Sequence, residues 1–326
     1  MKDKPITPTG ADELMDQAVY NPSAKGSFFE PTYSGALSFC RRPYRRDLTG
    51  VDIAVTGVPW DNAVTNRPGC RFGPRALREA STQLAELKSF AYGFDPFDIL
   101  GVVDYGDALL NPHDPAGVEA EMLAHARGIL AGGATTLALG GDHFVAYPLL
   151  KAHAEKHGPL ALVQFDAHCD TWPSGGPLDH GTMFLRAVEE GLIDVEHSIQ
   201  VGLRTHNDID VGIRELSAPW VHRNGVDRTL EEIRARVGDR KAYLSFDIDV
   251  LDPAFAPGTG TPVSGGLASW QALELIRGLG DVNMVAMDLV EVSPPFDHAE
   301  MTAIAGATIA YEWLCLMAQR RKDGKW

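Results

Sequence analysis

The chain is poor in cysteine and has no long apolar run. Its four cysteines, Cys40, Cys70, Cys169 and Cys315, show neither CxxC spacing nor the density of a disulfide framework. That pattern excludes small disulfide-stapled scaffolds and points to a reducing cytoplasm. No apolar run approaches the roughly 18 residues that a membrane span needs, so no transmembrane helix is expected. The first 20 residues are polar and lack the apolar core of a signal peptide. Positive charge is in deficit too: 29 Lys and Arg stand against 44 Asp and Glu, a net charge of −15. This argues against nucleic acid, whose phosphates call for a basic surface. It would attract a small cation, although acidic surfaces also simply aid solubility, and net charge says little about any single site. The glycine-rich stretch 258–266 lacks the Lys-Ser/Thr of a phosphate loop and reads as a structural turn.

What is present is an alternation of strand and helix patterns. Strand-like apolar runs occur near 51–58, 98–104, 135–140, 160–166, 197–203, 242–248 and 283–290. Helix-like stretches occur near 74–88, 115–131, 145–156, 182–192, 228–237, 268–279 and 299–320. Such alternation implies βα units and a mainly parallel sheet with helices on both faces, a three-layer α/β/α architecture. No repeat or low-complexity linker divides the chain. The expected organisation is an N-terminal arm, 1–45, followed by a catalytic domain, 46–326. The arm either packs on a neighbouring subunit or is a partly disordered tail.

Potential metal ligands occur in three clusters, each after a strand-like run: Asp142-His143, Asp166-Ala167-His168-Cys169-Asp170, and Asp247-Ile248-Asp249. Carboxyl ends of strands are where α/β sheets bind ligands. Asp166, His168 and Asp170 are two residues apart, as are Asp247 and Asp249. If the chain stays extended there, those side chains point to one side and converge, with His143 completing the set. Asp142 then faces away and supports. A lone Asp after a strand is usually a helix cap, but six such residues in three clusters are hard to explain as caps. Four carboxylates and two imidazoles exceed the needs of one catalytic zinc. They suit two hard divalent ions such as Mn²⁺ sharing bridging carboxylates.

These clusters, with Gly57-Val58-Pro59-Trp60-Asp61, Arg67-Pro68-Gly69-Cys70-Arg71-Phe72-Gly73-Pro74, Asp179-His180-Gly181-Thr182 and Asp288-Leu289-Val290-Glu291-Val292-Ser293-Pro294-Pro295, resemble the ureohydrolase family of arginases and agmatinases. The resemblance covers about residues 35 to 320 and is strongest to the agmatinase branch. It implies an arginase-like fold and two Mn²⁺ per subunit. One ion takes His143, Asp166, Asp170 and Asp247, and the other takes His168, Asp166, Asp247 and Asp249. It also implies a metal-bridging hydroxide that attacks a guanidinium carbon. Glu291 then fixes the guanidinium, Asp170 orients the hydroxide, and His180 carries a proton to the leaving amine. The plainer roles are a surface or capping Glu291 and a capping or packing His180. Cys169 stands where the family most often has Thr and reads as a small buried residue.

The resemblance implies agmatine as substrate, cleaved to putrescine and urea, and a homo-oligomer, trimer or hexamer. A short loop at 171–178 and Thr205-His206-Asn207 after the strand ending at Arg204 separate the chain from arginases. Guanidinobutyrase or guanidinopropionase activity is the alternative within the class. Those substrates end in a carboxylate and call for a cation in the tail pocket, for which Arg71, Arg75 and Arg204 are available by count. Outside the class stand a non-catalytic homologue and a mononuclear zinc deacetylase on a related fold. The complete set His143, Asp166, His168, Asp170, Asp247, Asp249, His180 and Glu291 disfavours both.

Overall fold

The structure, a computed structural model, describes residues 32–85 and 87–326. Its frame is one parallel sheet. The strands are β1 (Ile53–Val58), β2 (Val102–Asp107), β3 (Thr135–Gly140), β4 (Ala161–Phe165), β5 (Ile199–Leu203), β6 (Arg214–Ser217), β7 (Lys241–Asp247) and β8 (Asn283–Val290). They lie in the order β2-β1-β3-β8-β7-β4-β5-β6, and every pairing is parallel. The central strands are buried along nearly their whole length. That is why they read as continuous apolar runs rather than as an alternation.

Among the described residues, seven α-helices cover the two faces: α1 (Gly73–Ser81), α2 (Val118–Ala131), α3 (Ala146–His157), α4 (Met183–Glu189), α5 (Ala218–Val237), α6 (Ser269–Arg277) and α7 (Met301–Lys322). Side chains leave a strand alternately to each face. Val163, Phe165, Leu244 and Phe246 therefore join a core with Leu77, Ile233, Leu275 and Trp313. Leu162 and Tyr243 join a second core with Met122, Leu149, Leu150 and Phe184. The expected three layers are thus formed, with α1, α5, α6 and α7 on one face and α2, α3 and α4 on the other. By length and composition α7 could cross a membrane, but most of it is buried here, as in a core helix.

Several boundaries differ from expectation. β6 was not expected: it is a four-residue edge strand, Arg-Glu-Leu-Ser, in which Leu216 alone is fully buried, so it carries almost no apolar signal. The run at 98–104 begins in a turn, and its strand is Val102–Asp107. The helix expected at 228–237 starts at Ala218, where Ser217 caps it by accepting from Trp220 N. Gly225, at φ 80 and ψ 175, interrupts it and breaks the helical period. Of the expected arm, residues 1–31 lie outside the described residues. Its described end packs on the domain, with Phe39 and Cys40 buried and Tyr44 bridging to Asp104.

The order of strands positions the site. The chain builds β3, skips two places to lay down β4, and later fills the gap with β7 and β8. Such reversals open a crevice at the carboxyl edge of a sheet. Register completes the arrangement: Phe165 lies beside Phe246, and Asp247 beside Val290. The next residues of β4 and β8, Asp166 and Glu291, therefore emerge on either side of Asp247.

A buried ion pair ties the arm's end to this frame. Arg78 on α1 donates from Nε and Nη2 to Asp104 at 2.8 and 3.0 Å, and from Nη1 to Asp107 at 2.6 Å. Asp104 also accepts from Phe39 N. Arg78→Met would leave the Asp104 carboxylate buried without its partner, which costs about 3–5 kcal/mol. Urea denaturation should show that loss in the midpoint.

Candidate metal centre

Four strand ends meet at the crevice. β3 continues through Gly141 and Asp142 to His143. Gly141 passes so close to the segment after β1 that a Cβ there would lie 2.2 Å from the Trp60 carbonyl oxygen. β4 runs into Asp166–Asp170, and β7 ends at Asp247, followed by a 3-10 turn carrying Asp249. β8 leads to Glu291, which has φ 63.

Turns, rather than an extended chain, gather the carboxylates. Asp166 Oδ1 accepts from His168 N at 2.6 Å, and Asp247 Oδ1 accepts from Asp249 N at 2.8 Å. Each aspartate captures the amide two residues on, as Asx turns do. Asp170 takes a left-handed φ of 54. The expected alternation along an extended segment is therefore corrected. Residues two apart still converge, but through hydrogen-bonded turns.

The six expected ligands come together in two overlapping groups. His143 Nδ1 lies 2.8 Å from Asp170 Oδ2, 3.0 Å from Asp166 Oδ2 and 3.2 Å from Asp247 Oδ2. His168 Nδ1 lies 3.1 Å from Asp249 Oδ2 and 3.4 Å from Asp166 Oδ1. Asp166 is shared, so His143, Asp166 and Asp170 could hold one ion and Asp166, His168 and Asp249 a second. Asp247 joins the first group through His143.

Hydrogen bonds fix the tautomer of His143. Ser245 Oγ gives its only proton to Asp288 Oδ1 at 2.7 Å. It must therefore accept from His143 Nε2, 2.8 Å away. The Nδ1 lone pair then faces three carboxylate oxygens, and this buried atom has no hydrogen-bond partner. Such a contact is repulsive unless a cation lies between. Donors held at about 2.1 Å in an octahedral shell stand about 3 Å apart, close to the spacings found. Ser245 and Asp288 thus orient the imidazole, a support that the sequence did not reveal. Gln164 Nε2 does the same for Asp166 Oδ2 at 2.7 Å.

The electrostatics tell the same story. Burial and the neighbouring Asp166 charge push Asp170 up to about 7. Burial, Asp249 and Asp166 hold Asp247 well above the carboxylate range. Burial works against charge on His168, but Asp249 and Asp166 outweigh it and raise the imidazole to about 12. Carboxylates that keep protons and an imidazole that will not release its own are two signs of one excess of negative charge. An oxygen-rich donor set with two imidazole nitrogens fits hard divalent cations.

Glu291 and His180 stand side by side but not as an open clamp. Glu291 Oε1 accepts from His143 N at 2.8 Å and pairs with His180 Nδ1 at 2.9 Å, and Oε2 accepts from Cys70 Sγ at 3.0 Å. The carboxylate is fully buried. His180 Nε2 accepts from Thr65 N at 3.0 Å, with Thr65 Oγ1 at 2.7 Å. Burial opposes charge on this ring, yet the Glu291 carboxylate prevails and lifts it to about 9. Asp142 Oδ2 accepts from Ala63 N and so holds the loop that carries Thr65. The roles of Thr65 and Cys70 carry no signal in a single sequence, because their partners are more than a hundred residues away.

A cavity of about 400 Å³ opens over the cluster, lined among others by Thr65, His168, Asp170, Trp172, Asp179 and Thr261. Among the described residues, none of its lining is Lys or Arg. Arg204, available by count, instead donates to the backbone carbonyls of Asp249 and Val263 beneath the site. Arg71 pairs with Asp61 and Asn62, and Arg75 is exposed on α1. Cys169 is buried, and burial raises its thiol. A separate cavity of about 270 Å³ lies at the amino edge of the sheet, against Thr135 and Asn283, and contains none of these residues.

Comparison with known proteins agrees with this geometry. The chain is 57% identical over 319 residues to an agmatinase of Chromobacterium violaceum, across 96% of this chain and 99% of that one. A solved structure of a hypothetical agmatinase from Burkholderia thailandensis superposes with a TM-score of 0.90 at 57% identity, covering 94% of this chain and 98% of the other. The proclavaminate amidino hydrolase of Streptomyces clavuligerus superposes with a TM-score of 0.84 at 40% identity, covering 89% and 99%. The arginase family pattern spans residues 51–315, from β1 into α7, so every strand end described above lies inside it and the chain belongs to the arginase family.

Proposed function

We propose that this chain is a ureohydrolase that cleaves agmatine to putrescine and urea, with two Mn²⁺ held by His143, Asp166, His168, Asp170, Asp247 and Asp249. The observation that carries the substrate choice is the cavity. Of its lining carboxylates Asp170 and Asp247 go to the ions and Asp179 is left to meet a cation, while among the described residues none of the lining is Lys or Arg. A substrate that is cationic at both ends suits such a lining, whereas a guanidino acid would bring a carboxylate to it without a cation to meet it. The likeness to agmatinases at 57% identity supports the same choice.

When bound, the two ions supply an activated water and an electrostatic sink for the developing tetrahedral centre. The protein supplies geometry and proton transfer. Asp170, at the cavity wall and against His143, is placed to orient the attacking water. His180 takes up a proton at Nε2, because the Glu291 carboxylate at Nδ1 stabilises the imidazolium. Thr65 N–H then loses its acceptor, while Thr65 Oγ1 can accept from the new Nε2–H. These opposed contacts let the ring both gain and release a proton, as delivery to a leaving amine requires. Glu291 is the guanidinium anchor in this reading, and the substrate reaches it by displacing one of its present donors.

The same reading takes residues 1–45 as an arm on a catalytic domain of 46–326, in a cytoplasmic homo-oligomer, trimer or hexamer. Four free, buried cysteines support a reducing compartment. A groove lined by Phe255, Leu273, Met301 and Ile304, with Phe255, Met301 and Ile304 exposed, supports subunit contact.

Urea release from Mn²⁺-loaded protein should be highest with agmatine when arginine, 4-guanidinobutanoate and 3-guanidinopropanoate are compared at equal concentration. A preference for a guanidino acid would overturn the substrate choice. Asp170→Asn and Asp249→Asn should each abolish urea release and lower bound metal, read by elemental analysis. Full activity with full metal in either would sink the ligand assignment. The pH profile should fall as pH rises through about 9, because the raised His180 keeps its proton from below its ordinary range up to that point. His180→Asn should lower kcat about 100-fold, the scale of one lost acid–base group, and remove that alkaline limb.

A further inference from the structure

The proposed reaction leaves the substrate's distal ammonium without an assigned partner. One wall of the cavity is built from the two ends of a single loop, 171–182, pinned together. Trp172 N donates to Gly181 O at 3.1 Å, and the Trp172 ring lies 6.2 Å from the His168 ring, centroid to centroid. Gly181 has no side chain between them: the ideal position of its Cβ would be 3.4 Å from Trp172 Cε3 and 3.6 Å from Asp179 Oδ1. An indole and a carboxylate therefore converge beside one bare glycine, at the edge of the cavity.

Asp179 is partly used and partly free. Oδ1 accepts from Gly181 N at 3.0 Å, which fixes the orientation of the carboxylate. Its backbone N–H donates to Thr182 Oγ1 at 2.9 Å, which anchors the residue at the start of α4. Asp179 is half-buried and forms no ion pair among the described residues. Resting on the agmatine reading above, we propose that Asp179 and Trp172 form the cage for the substrate's distal ammonium and set selectivity for an amine tail over a carboxylate or an uncharged one. The carboxylate provides a charge-assisted hydrogen bond. The indole face provides a cation–π contact that a neutral or anionic tail cannot use. Asp179 precedes His180, so the residue that would read the tail is joined by one peptide bond to the one that would protonate the leaving amine.

The test compares agmatine with butylguanidine, which has the same guanidinium and an uncharged tail, in wild type, Asp179→Asn and Trp172→Leu. Asn keeps an oxygen for Gly181 N, so the loop has its hydrogen bond in the variant. Asp179→Asn should lower kcat/KM for agmatine roughly 10- to 100-fold, the scale of one charge-assisted hydrogen bond. It should cost butylguanidine turnover far less than agmatine turnover and retain bound metal. Trp172→Leu should cost agmatine several-fold more than butylguanidine. An unchanged agmatine-to-butylguanidine ratio in both variants, with metal retained, would overturn the cage. A wild type that prefers a guanidino acid would instead refute the substrate reading itself, whatever the variants do.

Discussion

Everything at the crevice follows from carboxylates packed against imidazoles where water cannot separate them. Asp166, Asp170, Asp247 and Asp249 are all nearly inaccessible. Like charges at these spacings in a low-dielectric setting repel strongly unless something positive lies among them. The rest of the centre manages that constraint. Gln164 donates to Asp166, Thr261 Oγ1 to Asp249 Oδ2 and Ala167 N to Asp249 Oδ1. Ser245 and Asp288 turn the proton of His143 outward so that its lone pair points inward. A site designed for packing alone would have replaced several of these charges by apolar groups, since buried ionic clusters add little net stability.

The second constraint is the string Cys70–Glu291–His180–Thr65. It links the ends of β8, the loop after β1 and the turn before α4 through side chains alone. Glu291 takes a left-handed backbone conformation, which for a non-glycine residue costs of the order of 1 kcal/mol or more. That cost is offset by three donors on one carboxylate. Burial holds the Cys70 thiol protonated, so it can only donate to Glu291. The string thereby sets the proton affinity of His180 without touching the metal ligands except through the backbone of His143.

The ligand clusters were legible because His and Asp rarely recur at such spacing after apolar runs. The physical route to their convergence was not. Alternation along an extended chain pointed to residues that do converge, yet Asp249 sits in a 3-10 turn and Asp170 has positive φ. The two routes give the same pairing because an Asx turn also relates residues i and i+2. The sheet was legible where strands are buried on both faces, and β6 was not because an edge strand has little to bury. Thr65, Cys70, Trp172, Thr261, Ser245 and Asp288 have roles defined by distant partners. Nothing local distinguishes Ser245 inside β7 from any other small strand residue. The extent to which Glu291 is enclosed was equally hidden, since residues from other loops crowd it, among them Gly260, where a Cβ would lie 3.1 Å from Glu291 Oε2.

Charge balance explains why a doubly cationic substrate could approach a cationic centre at all. Two divalent ions would bring four positive charges, and Asp166, Asp170, Asp247 and Asp249 bring four negative ones. The imidazoles are neutral when they ligate. The centre is then close to neutral as a whole, and a guanidinium meets little net repulsion on entry. Attraction has to come from outside that balance. Glu291 is partly spent on His180, and the remaining uncompensated carboxylate at the cavity is Asp179. At longer range the chain's net charge, −15 before any metal is bound, favours the approach of a cation over an anion without singling out this site. A guanidino acid of the same length would gain the first of these terms and lose the other two. Selectivity at the tail is therefore expected to arise as much from repulsion of the wrong charge as from contacts to the right one.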